Sequence, residues 1–298
     1  MPIRFALNRT CAPHLPLAEF IALVTRVGAR AVEIRNDIEG REFHDGTPAA
    51  EVRARLSDAG LEVASVNALQ RFNDWSPTRA REAEAIIAYA AALGAPGVVL
   101  CPVHNEDHGW TEAEAESNLR EGLRQLRPIL RAHGITGYVE PLGMTGSTMK
   151  RQDMAVAAVT DIDGWDAYQL CYDTFQFFRC GDTRLFPDRI GLAHMSGIAR
   201  KDLAPGELAE PDRGLIFVGD RVGNIAQLRA LTSAGYQGFV SMEPFSPEVQ
   251  RDPRLPEHLR ASLDYVTMLL APEAGAQATG LAETPGRTER HAGDSLSA

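Results

Sequence analysis

Short β-branched runs alternate with longer amphipathic stretches along nearly the whole chain, and the alternation repeats eight times. The candidate strands are Ile3–Leu7, Ala31–Ile34, Glu62–Val66, Gly97–Leu100, Gly137–Val139, Gln169–Tyr172, Ile190–Ala193 and Gly238–Met242. Between them, segments such as Leu17–Val27, Ala49–Ala59, Pro77–Leu93 and Ala113–Ala132 carry apolar residues three and four apart, the spacing of one buried helix face. In the last of these, Leu119, Leu123, Leu126 and Leu130 mark the stripe. Several helices close on glycine just ahead of a strand, at Ala59-Gly60, Leu93-Gly94 and His133-Gly134. Strand–helix alternation of this kind builds a parallel sheet with helices packed on it. Eight units without a long interruption predict an α/β fold, a closed (β/α)8 TIM barrel. A doubly wound open sheet would carry a glycine-rich turn after its first strand. Here Asn8-Arg9-Thr10-Cys11-Ala12-Pro13 follows, without a glycine, so the barrel is the better reading.

At 298 residues the chain is long enough for two domains, but a barrel of about 250 residues is one domain. The barrel is expected over residues 1–271. Residues 272–298 differ in kind. Ten of these 27 are Ala or Gly and only two are leucines, too little apolar surface to offset the entropy of ordering. A disordered C-terminal tail is expected there, free to dock on a partner subunit. The net charge of −10 opposes a phosphate backbone, so nucleic acid is excluded as the main partner. No run approaches 18 apolar residues and the start, MPIRFALNRT, has no hydrophobic signal core. The four cysteines, Cys11, Cys101, Cys171 and Cys180, form no C-x-x-C pair and are expected as reduced thiols. Cys101 and Cys171, inside apolar runs, read as small core residues. A cytoplasmic, unexported protein is the expectation, with no membrane partner and a homo-oligomer left open.

In a barrel of this type the chemistry sits at the C-terminal ends of the strands. Strand one ends at Asn8, strand two at Glu33 and Arg35, strand three at Asn67, and strand four leads to His104. Strands five to eight end in Glu140 (GYVEP), Asp173 (LCYDTF), His194 (GLAHMSG) and Glu243 (FVSMEPF). Singly, each is as well explained by a helix cap or a partner for a barrel arginine. Together, three converging carboxylates would repel one another and rise in pKa unless a cation joined them. One imidazole with three carboxylates suits a single divalent ion: Mn²⁺, Mg²⁺, Co²⁺ or Zn²⁺.

The ordered set AVEIR, VNALQRFN, GYVEPLG, CYDTFQF, LAHMSG, DRGLIFVG and FVSMEPFSPE spans most of residues 1–270. It resembles the metal-dependent sugar isomerases and epimerases of the xylose isomerase-like superfamily, and within it the inosose (2-keto-myo-inositol) isomerases. The resemblance implies an isomerase or epimerase of a keto-sugar or keto-inositol, working by proton transfer through an enediolate. It also implies Glu140, Asp173, His194 and Glu243 as metal ligands, with Glu140 and Glu243 doubling as acid and base. Arg213 is a candidate for gripping substrate oxygens, or else a loop charge. Arg35 and Gln176 are further candidates for binding the sugar or cyclitol. Asn8 and Asn67 either position substrate hydroxyls or cap the helices that follow. Two departures stand out. Relatives often read D-x-F-H after strand six where this chain has Gln176, and no acid directly follows His194.

His104 and His108 have a spacing of four, but Pro102 and Gly109 flank them without a helical stripe, so loop histidines are expected rather than a metal pair. Phe72, Trp75, Trp110, Phe175 and Phe245 either wall a sugar pocket or pack loops onto the rim. Two competing functions remain: a multi-metal phosphodiesterase like the abasic-site endonucleases of the same superfamily, and a non-catalytic sugar-binding barrel. The acidic charge and the few histidines count against the first; the intact ligand set counts against the second.

Overall fold

Eight parallel strands, β1 (Arg4–Asn8), β2 (Ala31–Arg35), β3 (Glu62–Leu69), β4 (Gly97–Leu100), β5 (Thr136–Val139), β6 (Tyr168–Asp173), β7 (Ile190–Met195) and β8 (Phe239–Met242), pair in chain order. β8 closes on β1, so the sheet is a barrel. The computed structural model describes residues 3–271, and the expected tail at 272–298 lies outside the described residues. All eight expected strands are present, and the four expected helices appear as Leu17–Val27, Ala49–Asp58, Pro77–Leu93 and Glu112–His133. Gly94 and Gly134 end their helices with positive φ (83° and 64°), the left-handed conformation that a side chain resists. Among the described residues, no helix is long and apolar enough to cross a membrane.

Strand parity positions the site. Successive side chains on a strand point to opposite faces, so a residue and its second neighbour share one. Ala6, Ala31, Val99, Tyr138, Cys171, Leu192 and Phe239 pack together inside the barrel. Their alternate neighbours, such as Leu7, Val32, Leu100, Val139, Leu170, Ala193 and Val240, pack outward against the helices. Two residues further along the inward face come Asn8, Glu33, Cys101, Glu140, Asp173 and His194, and four residues beyond Phe239 comes Glu243. The apolar interior is thus the floor on which a ring of polar residues stands.

Several strands run one to three residues further than their apolar pattern, taking in Asn8, Arg35, Asn67, Asp173 and His194. The register sets Asn8 beside Glu33, Arg35 beside Asn67, and Asp173 beside His194. These side chains are therefore fixed by ladder hydrogen bonds and not by loops. Beyond β7 the chain makes a two-residue antiparallel ladder between Gly197–Ile198 and Arg213–Gly214, which the strand pattern did not signal. A Cβ on Gly197 would lie 2.2 Å from the Leu215 carbonyl oxygen. Only glycine admits that approach, and the approach carries Arg213 back over the barrel mouth.

Candidate metal centre

His194, wholly buried, is the hub of the polar ring. Its Nδ1 lies 3.0 Å from Glu140 Oε1 and 3.2 Å from Glu243 Oε2, and its Nε2 lies 3.1 Å from Glu33 Oε2. Asp173 completes the group: one donor atom from each of Glu140, Asp173, His194 and Glu243 lies within 4.8 Å of the others. Among the described residues the only other such group, Glu140, Cys171 and His194, shares two of its members with this one. The residues named at the ends of strands five to eight are thus brought to one point.

Guanidinium groups hold the carboxylates from the rim. Arg213, 2% exposed, donates to Asp173 Oδ2 (2.6 Å), Glu243 Oε2 (2.9 Å) and Glu210 Oε2 (2.7 Å), and its Nε donates to Ser196 Oγ (3.0 Å). Glu243 Oε1 accepts from Arg35 (3.3 Å), Asn8 (3.1 Å) and Asn67 (3.2 Å). Burial alone would raise the Glu243 carboxyl, but His194 and Arg213 outweigh it and hold it well below the usual range. Burial drives Asp173 up to about 6, helped by Glu243 and Glu140 and opposed by Arg213. Burial disfavours the His194 imidazolium, yet Cys171 and the three glutamates outweigh it and raise that group well above its ordinary value.

The charge pattern fits a divalent cation. Four carboxylates, Glu33, Glu140, Asp173 and Glu243, are buried in the same region as two buried guanidiniums, Arg35 and Arg213. With His194 neutral, two negative charges remain uncompensated in a low-dielectric interior, and one divalent ion matches them. Three carboxylates and an imidazole are ligands that such ions take.

A cavity of about 160 Å³ opens onto the group, lined among others by Glu140, Glu243, Arg35, Asn67, Gln176 and Arg213. Asn8 lies behind it: its side-chain oxygen caps the short helix Arg9–Cys11 through the Thr10 amide while its amide holds Glu33 and Glu243. Gln176 accepts from the Gly143 amide (2.9 Å) and donates to Glu210 (2.9 Å), joining the loop after β5 to the one after β7. His104 and Phe245 also line the cavity, whereas Phe72 and Phe175 are fully buried. His104 and His108 lie in a loop, and neither belongs to a group able to share an ion.

Sequence reasoning missed four contributors. Glu33 was seen at its strand end without a partner, and Glu210 gave no signal because its loop comes over the rim only through the Gly197 ladder. Cys101 and Cys171 are buried as expected, but the Cys101 thiol donates to Glu140 Oε2 (3.3 Å) and the Cys171 sulfur lies 3.5 Å from His194 Nδ1. Burial raises both thiols, so they stay neutral.

A family model described as a xylose isomerase-like TIM barrel matches residues 21–266. The chain belongs to that family. A xylose isomerase domain protein from Salmonella typhimurium LT2 superposes on this family member with a TM-score of 0.81 at 26% identity, covering 91% of this chain and 99% of that one. The IolI protein, solved with a bound zinc atom, gives 0.79 at 20% identity, covering 90% and 98%. D-Allulose 3-epimerase from Methylomonas sp., solved with D-allulose, gives 0.69 at 16% identity, covering 90% and 97%. At such identities the last two speak for a common fold. No curated protein sequence matches the chain.

Proposed function

We propose that this xylose isomerase-like barrel is a metal-dependent isomerase of a keto-sugar or keto-inositol, resembling the inosose isomerases and acting by proton transfer. The observation that carries the reading is the buried group of Glu140, Asp173, His194 and Glu243 at the foot of a cavity; with Glu33 counted and His194 neutral, the buried carboxylates there outnumber the buried guanidiniums by two. These four residues would hold one divalent cation, Mn²⁺, Mg²⁺, Co²⁺ or Zn²⁺. When bound, such an ion supplies Lewis acidity to a carbonyl and its neighbouring hydroxyl, acidifying the C–H between them. The zinc in IolI and the sugar in D-allulose 3-epimerase support the reading.

Glu140 is the group assigned to take the proton. It lines the cavity, and its protein partners are His194, the Cys101 thiol and, at 3.9 Å, the Cys171 thiol, which leave lone pairs open to a substrate. Glu243 already accepts from four donor groups, Asn8, Arg35, Asn67 and Arg213, which makes it the weaker base, suited to holding the cation and, once it has taken a proton from solvent, to passing it to the substrate. Asp173 and His194 are assigned to the metal alone. Arg213 has five N–H donors and uses four on the protein, so one remains for a substrate oxygen. Asn67, Arg35 and Gln176 line the wall where substrate hydroxyls would lie, and Phe245 offers an apolar ring beside them.

Keto-inositols, pentuloses and hexuloses, incubated in D₂O with the Mn²⁺-loaded protein, test the proposal. The expected result is turnover of one of them, abolished by chelation, with deuterium entering the product carbon. No turnover by a metal-loaded protein would refute the enzyme reading, and a product free of deuterium would refute a relay in which Glu140 takes the proton and Glu243 returns one from solvent. An epimerase of the same substrates is the second reading, favoured by the similarity to D-allulose 3-epimerase. Inversion at one carbon, without movement of the carbonyl, would establish it.

A further inference from the structure

Glu33 is a wholly buried carboxylate that does not line the cavity and has no guanidinium within hydrogen-bonding reach. Its partners are the Asn8 amide (3.3 Å), the Ser65 hydroxyl and His194 Nε2 (3.1 Å). An uncompensated carboxylate in such a place is costly, and the imidazole is the one partner that offers it charge. The position is built into the fold. The register between β2 and β3 slips after Val32, so that Ser65 and not Ala64 stands opposite Glu33.

Resting on the metal reading above, we propose that Glu33 is a positioning residue for the cation site, acting through His194. A proton held on Nε2 and donated to Glu33 leaves Nδ1 as the free ring nitrogen. Nδ1 is the atom that faces Glu140 at 3.0 Å and Glu243 at 3.2 Å. The other tautomer would set an N–H among the carboxylates and turn the lone pair away from them. Glu33 thus chooses the tautomer, fixes the ring plane and makes the imidazole a better donor to a cation. The Asn8 and Ser65 bonds keep the carboxylate itself from turning. Glu33 does not line the cavity, and of the four ligands it touches His194 alone, with Asn8 bridging it to Glu243, so its effect falls on cation binding before it falls on any reaction.

Two measurements test this without reference to turnover. In the zinc-loaded protein with ¹⁵N-labelled histidine, the His194 ring, assigned by its loss in His194→Ala, should carry its proton on Nε2 and bind through Nδ1. Binding through Nε2 would overturn the proposal whatever any variant does. Glu33→Gln, isosteric but without the charge, should bind Zn²⁺ about 10–100-fold more weakly than the wild type. An unchanged affinity in a folded Glu33→Gln protein would overturn the proposal. If the wild type itself takes up no Zn²⁺, the metal reading fails and the role of Glu33 falls with it.

Discussion

Replacing Arg213 by Met should convert the site from one that tolerates the absence of a metal into one that depends on it. The guanidinium is 2% exposed and donates to both Asp173 (2.6 Å) and Glu243 (2.9 Å). Removing one partner of a buried ion pair costs about 3–5 kcal/mol, because the other charge stays behind unpaired. Asp173 already sits at about 6, through burial and its carboxylate neighbours, with Arg213 holding it down. Without Arg213 one more buried negative charge is left uncompensated, and a divalent ion has more to offset. Urea unfolding at pH 8 of wild type and Arg213→Met, each chelated and each loaded with Mn²⁺, measures this. A ligand at 100 times its Kd stabilises by about 2.7 kcal/mol, which is the gain expected for the wild type under that condition. The same Mn²⁺ concentration should stabilise the variant by more, and the metal-free variant should be destabilised by about 3–5 kcal/mol. A loss below about 1 kcal/mol, or an equal loss with and without Mn²⁺, would refute the charge argument.

Metal affinity should fall as the pH drops through about 6, because Asp173, whose carboxyl is raised to that value, is a ligand only when ionised. Binding should also release protons, since the glutamates hold an extra one on His194 in the metal-free protein; calorimetry in buffers of different ionisation enthalpy counts them, and a flat affinity between pH 8 and 5 would be contrary. Glu140→Gln should lower kcat about 10²–10⁴-fold on whichever substrate is found. The same change should leave the metal-free protein as stable as before or more so, since it removes one of four crowded carboxylates; a kcat within tenfold of wild type would contradict the assignment.

Strand parity explains how much was legible. An apolar run ending in a single polar residue, as in GYVEP or LCYDTF, marks both a strand and the side chain on its inward face at the rim. The positions of Glu140, Asp173, His194 and Glu243 relative to the fold were therefore readable one strand at a time. Partnerships across the barrel were not. Nothing local says that Glu33 meets His194 161 residues away, or that Arg213 returns over the mouth to Asp173. The two-residue ladder that returns Arg213 is too short for any periodicity, and its one trace in the sequence is Gly197. The cysteines show the same limit from the other side. Their burial was plain from the apolar runs, while their contact with Glu140 depends on how β4, β5 and β6 stand together. The extra residues at the strand ends were hidden because polar side chains interrupt the apolar pattern just where the ladder continues.

The central claim is that Glu140, Asp173, His194 and Glu243 hold one divalent ion. A second ion would need its own carboxylates, and the first acid after His194, Asp202, is spent at the surface on Arg200 at 2.6 Å, with side chains 65% and 48% exposed. Gln176 offers an amide where a second imidazole would have served. Titration of the chelated protein with Mn²⁺, followed by its paramagnetic resonance, tests the claim most directly. The wild type should take up one tight equivalent per chain, and Asp173→Asn and His194→Ala should take up none while keeping the circular dichroism of the barrel. Two tight equivalents in the wild type, or full uptake by either variant, would contradict it.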